Sequence, residues 1–105
     1  MWKDKEDFKN RVREWAEKLD VEVQTISMRR MKNKWASYTQ KNDLLIFNID
    51  LLDLDEEICN YVIVHELLHF RIPNHGKLWK SFMSLYLGDY QNIELRLKEY
   101  HLTMD

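Results

Sequence analysis

Residues 62–70 read Val62-Ile63-Val64-His65-Glu66-Leu67-Leu68-His69-Phe70, and the rest of the fold has to be arranged around this stretch. Asp53 or Asp55 can cap a helix start, and Pro73 disfavours helical geometry at Ile72, so a helix is expected over about residues 55–70. Asp53 with Glu56 three residues on has the capping-box pattern, and the acidic run suits a helix N-terminus. Ile58, Tyr61, Val62, Ile63, Val64, Leu67, Leu68 and Phe70 then distribute apolar side chains around the whole helix. A helix that is apolar on every side belongs inside the molecule, with other elements packed about it.

The same helix carries H-E-x-x-H. His65 and His69, at i and i+4, share one face and can aim ring nitrogens at one ion, with Glu66 beside that face. The ordinary alternative is a pair of hydrogen-bonded or surface histidines and a solvated glutamate. A central helix argues against it, because buried imidazoles and a buried carboxylate each need a partner and an unpaired buried charge is costly. One bound cation satisfies all three groups.

Zinc takes a third protein ligand at a catalytic site and keeps one position open. His75, ten residues after His65, is the obvious choice, since Pro73 breaks the helix and Asn74 favours a turn that brings the chain back. Glu94, Glu99 and His101 are fallback ligands, and Cys59, mostly off the histidine face, reads as core. With three neutral histidines the ion keeps its full charge and lowers the pKa of its water to about 7. Glu66 is then placed to take the water's proton and return it to a leaving amine. Tyr86, Tyr90, His101 and Arg71 are candidate donors to the oxyanion. The expectation is a zinc-dependent hydrolase of peptide bonds, with Zn2+ as cofactor and a peptide or protein as substrate. The alternative is a structural zinc module, an interaction domain whose metal site is closed by a fourth protein ligand or kept latent.

Outward from the central helix, Phe8, Val12, Trp15, Ala16 and Leu19 space an amphipathic helix over residues 4–19. Residues 21–28 favour a strand, and 35–39 with 44–48 read as a hairpin across the polar turn Gln40-Lys41-Asn42-Asp43. Helices are expected at Lys77–Leu87, ended by Gly88, and from about Asp89 to Tyr100. The order gives an α+β class, with a short two- to three-stranded antiparallel sheet. At 105 residues the chain fits one domain, and two Gly with one Pro favour helices over a many-stranded barrel.

A net charge of −2 sets up no global field toward nucleic acid or membrane. The single Cys59 rules out an internal disulfide and suits a reducing compartment. No apolar run approaches about 20 residues, and Met1–Asp7 lacks the apolar core of a signal peptide, so a cytoplasmic location is expected. Arg29, Arg30, Lys32 and Lys34 beside Trp35 pose a choice between a nucleic-acid contact and a solvated strand face. So small a domain has few walls around a cleft, which leaves room for a partner or a second copy. The tail from Tyr100 to Asp105 can cover that cleft and hold the site latent.

From about Arg29 to Tyr100 the chain resembles the YgjP-like metallopeptidase domain, a relative of the SprT-like zinc peptidases. The resemblance rests on Met31-Lys32-Asn33-Lys34-Trp35-Ala36-Ser37, Ile46-Phe47-Asn48, the run Tyr61 to His69, and Pro73-Asn74-His75-Gly76-Lys77-Leu78-Trp79. It implies a small zincin-like fold with an N-terminal helix, zinc on three histidines, His75 as the third after a Pro-Asn turn, and Glu66 in the catalytic role. Where such domains show Arg-Trp-Gly-Ser-Cys this chain has Lys34-Trp35-Ala36-Ser37-Tyr38, a change that bears on cleft geometry rather than on the metal motif. It also has less of the N-terminal sheet found in many relatives. The spacing matches the metzincin peptidases too, but Ile72 stands where they need Gly.

Overall fold

A computed structural model describes residues 2–100 and Leu102. Its elements are α1 (Lys5–Leu19), β1 (Thr25–Arg29), β2 (Ala36–Thr39), β3 (Leu44–Asn48), α2 (Glu56–Leu68), α3 (Lys77–Leu87) and α4 (Tyr90–Leu97). Short 3-10 turns lie at Gln40–Asn42, Ile49–Asp53 and Lys98–Tyr100. The α+β class stands, and every expected helix is present.

Helix α2 is the centre of the molecule, with Ile58, Cys59, Tyr61 to Leu68 all buried. It touches α1, α3, α4 and β2, so its four sides are covered by four different elements. Its start is fixed by Asp55, whose side chain accepts from the Ile58 N–H at 2.9 Å. Asp53 is not the cap; it closes the preceding 3-10 turn, and Leu54 is the extended residue between the two. The helix stops at Leu68, and Phe70 and Arg71 continue as tight turns whose N–H groups reach back three residues, to Leu67 and Leu68.

Helix α1 begins at Asp4, which accepts from the Asp7 N–H, and buries Phe8, Val12, Ala16 and Leu19. Phe8 meets Phe47 of β3 edge-on, with ring centroids 5.2 Å apart, tying helix to sheet. Trp15 is half-buried, and its indole N–H donates to Asn60 Oδ1 at 2.9 Å on the flank of α2.

The sheet corrects one expectation. It is mixed rather than antiparallel, in the order β1-β3-β2. The hairpin is as expected, with Ser37 opposite Ile46 and Tyr38 opposite Leu45. The earlier strand starts four residues later than expected and runs parallel to β3, Thr25 opposite Leu44 and Arg29 opposite Asn48. The reason lies in the segment 30–35, which leaves β1 and crosses the end of β3 to reach the far edge, so that β3 is inserted between two strands that precede it. The continuous apolar run of β3 fits that central position.

Asn48 holds the crossing in place. It is fully buried, and its Nδ2 donates to Met31 O at 3.1 Å and to Lys34 O at 2.9 Å. Its Oδ1 accepts from the Asp50 N–H at 2.9 Å, and its own N–H donates to Trp35 O. At the opposite end Asp43, in left-handed backbone at φ 47°, accepts from the Gln24 N–H and the Tyr38 hydroxyl. Because Asn48→Ala removes a buried side chain and the partner of two carbonyls and one N–H, it should lower the unfolding free energy by about 3 kcal/mol in urea denaturation, well beyond a surface Asn→Ala control.

Candidate metal centre

The H-E-x-x-H spacing places His65 and Glu66 on the buried length of α2, at 3 % and 2 % exposure, and His69 at its C-terminal cap. The chain then turns at 73–76 and delivers His75 beside them. Asn74 Oδ1 accepts from the Gly76 N–H at 3.0 Å, a local turn that swings the backbone round. A Cβ at Gly76 would lie 2.9 Å from that oxygen, so a larger residue there would push the Asn74 side chain out of this contact. Trp79, buried on the first turn of α3, packs against the His75 ring with centroids 4.4 Å apart and edge-on against His65 at 5.1 Å. Each residue of the stretch from Asn74 to Gly76, and Trp79 after it, thus serves to place one imidazole.

The three rings converge through one set of atoms. His69 Nε2 lies 3.2 Å from His65 Nε2 and 3.0 Å from His75 Nε2. Ligand atoms of all three lie within 4.8 Å of one another, and among the described residues no fourth potential ligand joins them. His69 Nδ1 is 3.3 Å from Ile72 O, a contact in which the ring must donate. Its Nε2 therefore carries the lone pair in the neutral ring, and that one lone pair faces two other imidazole nitrogens. Protons on the rings satisfy at most part of this arrangement, whereas a cation among the three nitrogens satisfies all of it. Nitrogens about 2.0–2.1 Å from a tetrahedral zinc stand roughly 3.3 Å from each other. The two short separations observed match that spacing, so the donor set fits the ion. Burial, followed by the neighbouring His69, holds the His75 imidazole below its ordinary pKa and in the neutral form a ligand requires, with Glu94 opposing.

The described fallback ligands do not join the three rings. Glu94 Oε2 accepts from the Tyr61 hydroxyl at 2.8 Å, Glu99 is exposed, and His101 lies outside the described residues. Cys59 is core, as expected: Trp2 donates to its sulfur, its thiol faces Leu51 O, and burial pushes its pKa up to about 12. Of the oxyanion candidates, Arg71 is paired with Asp20 and Tyr86 packs between Trp15 and Phe82. Tyr90 alone among the described candidates borders the site, in a cavity shared with His65 and His75. Trp35 is buried against Tyr100, which leaves no indole face for a base to stack on; Arg29, Arg30, Lys32 and Lys34 form a solvated surface. Tyr38 lines a groove with Glu66, His69 and His75, so the Cys-to-Tyr change does reach the cleft.

Three contributors escaped the sequence reading: Asn48, Trp79 and the pair Tyr61–Glu94. Burial raises the Tyr61 pKa, helped by its hydrogen bond to Glu94, so the hydroxyl stays a donor.

A domain model for YgjP-like metallopeptidases matches residues 3–100, and the chain belongs to that family. An uncharacterised protein of Methanocaldococcus jannaschii is 35 % identical over 98 residues, 90 % of this chain and 89 % of the relative. The crystal structure of the metallopeptidase zymogen jannalysin, also from Methanocaldococcus jannaschii, superposes with a TM-score of 0.80 at 32 % identity, covering 89 % of this chain and 95 % of that one. The metallopeptidase zymogen abylysin of Pyrococcus abyssi shares the fold, with a TM-score of 0.77 at 20 % identity over 93 % of this chain and 99 % of its own. The protein is therefore a metallopeptidase, a hydrolase whose substrates are peptides or proteins. No helix among the described residues is long and apolar enough to cross a membrane. Tyr61→Phe should cost about 1 kcal/mol of stability for the lost hydrogen bond while leaving metal stoichiometry unchanged, as read by denaturation and by metal analysis side by side.

Proposed function

We propose that the protein is a zinc peptidase in which His65, His69 and His75 hold the ion through Nε2 and Glu66 is the general base. The observation that carries this is the convergence of three imidazole nitrogens, at 3.0 and 3.2 Å, beside a carboxylate on the same buried helix. Zinc, when bound, supplies Lewis acidity toward a substrate carbonyl and brings water into the range where it loses a proton near neutral pH. Glu66 accepts that proton and hands it to the leaving amine. The absence of a fourth ligand among the described residues favours this open site over a closed structural one.

Substrate approach is favoured from one side. β2 is an outer strand, and Tyr38 from it lines the groove that contains Glu66 and His69. An extended peptide can add alongside β2 through backbone hydrogen bonds, and its carbonyl then passes Glu66.

The purified chain should bind one zinc ion. Glu66→Gln should keep the metal and lose at least about 100-fold in peptide hydrolysis. His65→Ala or His69→Ala should lose the metal itself; hydrolysis unchanged in Glu66→Gln would overturn the mechanism.

Latency is part of the same proposal. Leu102 lines the cavity that His65 and His75 border, and jannalysin was crystallised as a zymogen. Deleting residues 101–105, which spares the Tyr100 contact with Trp35, should raise hydrolysis several-fold. Equal rates for the two forms would show that the tail does not restrain the site.

A further inference from the structure

The metal centre has two concave sides. Glu66 and His69 face the groove bordered by Tyr38, whereas His65 borders a separate cavity of about 660 Å3; His75 touches both. That volume lies within the range of built ligand pockets. Its walls are largely apolar and aromatic, from Tyr61, Trp79, Tyr90 and Leu97. Glu94 is its one anion among the described residues, and half-buried, while Lys80 and Lys98 are exposed.

The carboxylate of Glu94 is held, not neutralised. Tyr61, itself buried, donates to Oε2 at 2.8 Å and so fixes the group on α4 against α2. A neutral hydroxyl does not balance the charge, and among the described residues no Lys or Arg forms an ion pair with Glu94. Arg96, two residues on, is engaged by Asp55 and Glu57. Trp79, Tyr90 and Tyr61 line the same cavity, and aromatic side chains there favour a methylene stem and, over a ring face, a cation.

We propose that this cavity is the subsite for a basic group of the substrate adjacent to the scissile bond, with Glu94 its specificity determinant. The proposal rests on the metallopeptidase reading for the position of the scissile bond. The cation recognised is an ammonium or guanidinium, carried either by a Lys or Arg side chain or by a free N-terminus. The stem lies along the aromatic walls, and the charged tip meets Glu94 Oε1 while Tyr61 retains Oε2. A charge-assisted contact of this kind in a partly desolvated cavity is stronger than its exposed counterpart.

The test separates recognition from chemistry by using the full-length Glu66→Gln chain loaded with zinc. Peptides blocked at both ends, identical except for Lys, Arg, norleucine or Glu at the central position, are titrated calorimetrically. A fifth peptide carries norleucine and a free N-terminus. Lys and Arg peptides should bind about tenfold tighter than norleucine, and the Glu peptide weakest. Glu94→Gln should bring Lys and norleucine within about twofold, and Glu94→Lys should favour the Glu peptide. Tyr61→Phe, which keeps the carboxylate, should preserve the order. Any competition from the tail weakens all peptides alike and leaves the ratios unchanged. If only the free N-terminus gains affinity, the cation is the terminal ammonium and Glu94 still determines it, provided that gain also disappears in Glu94→Gln. Failure of Lys, Arg and the free N-terminus alike to bind tighter than blocked norleucine, or a preference that survives Glu94→Gln, overturns the subsite. Hydrolysis by the unmutated chain is assayed separately, so a failure there would strike the catalytic proposal and leave the binding ratios intact.

Discussion

The burial of α2 on all of its sides is the constraint from which the rest of the structure follows. A helix with Ile58, Cys59 and everything from Tyr61 to Leu68 inside needs a cover in each direction, and α1, α3, α4 and β2 supply one each. The same helix brings an imidazole and a carboxylate into that interior. Such groups are tolerated only where their interactions are met, so the core and the reactive centre are one construction problem. The turn at 73–76 and the packing of Trp79 solve its second half by bringing a third ring to the same point.

How far this was legible depends on how local each determinant is. The central helix and its histidines follow from residues within four positions of each other, where i, i+4 geometry is stiff. His75 was readable because Pro73 and Asn74 act over a few residues. The hairpin was readable for the same reason. The direction of β1 was not, since alternating apolar residues specify a face and say nothing about which neighbour a strand pairs with. That choice rests on Asn48, one amide reaching Met31 and Lys34 across 17 and 14 residues. In the sequence it is simply a polar residue at the end of an apolar run. The cap was open between two residues in the sequence: Asp53 matches the capping-box pattern, but it is Asp55 whose oxygen faces the Ile58 N–H.

The supporting residues of the site were hidden by distance. Tyr61 and Glu94 are 33 residues apart and meet because α4 packs against α2. Glu94 read as a possible ligand because carboxylates bind metals, yet its oxygen is taken up by a phenol that the sequence placed merely on an apolar helix. Family membership adds the activity class and no account of such contacts. Two stretches outside H-E-x-x-H have structural roles of their own: Ile46-Phe47-Asn48 ends in the amide that fixes the sheet, and Pro73 to Trp79 is the device that places His75.

Neighbouring positions on α2 divide the work of the centre. His65 and Glu66 are consecutive, so their side chains leave the helix about 100° apart, the angular step of a 3.6-residue turn. One borders the cavity that holds Glu94, the other the groove beside β2. On the proposed reading, proton transfer by Glu66 and side-chain recognition by Glu94 fall on different sides of the imidazole cluster, with His75 common to both. A change on the cavity side, at Glu94, would then alter which peptides are accepted without disturbing Glu66, the proposed general base. In a domain of about a hundred residues with few walls to vary, that separation gives substrate choice its own surface.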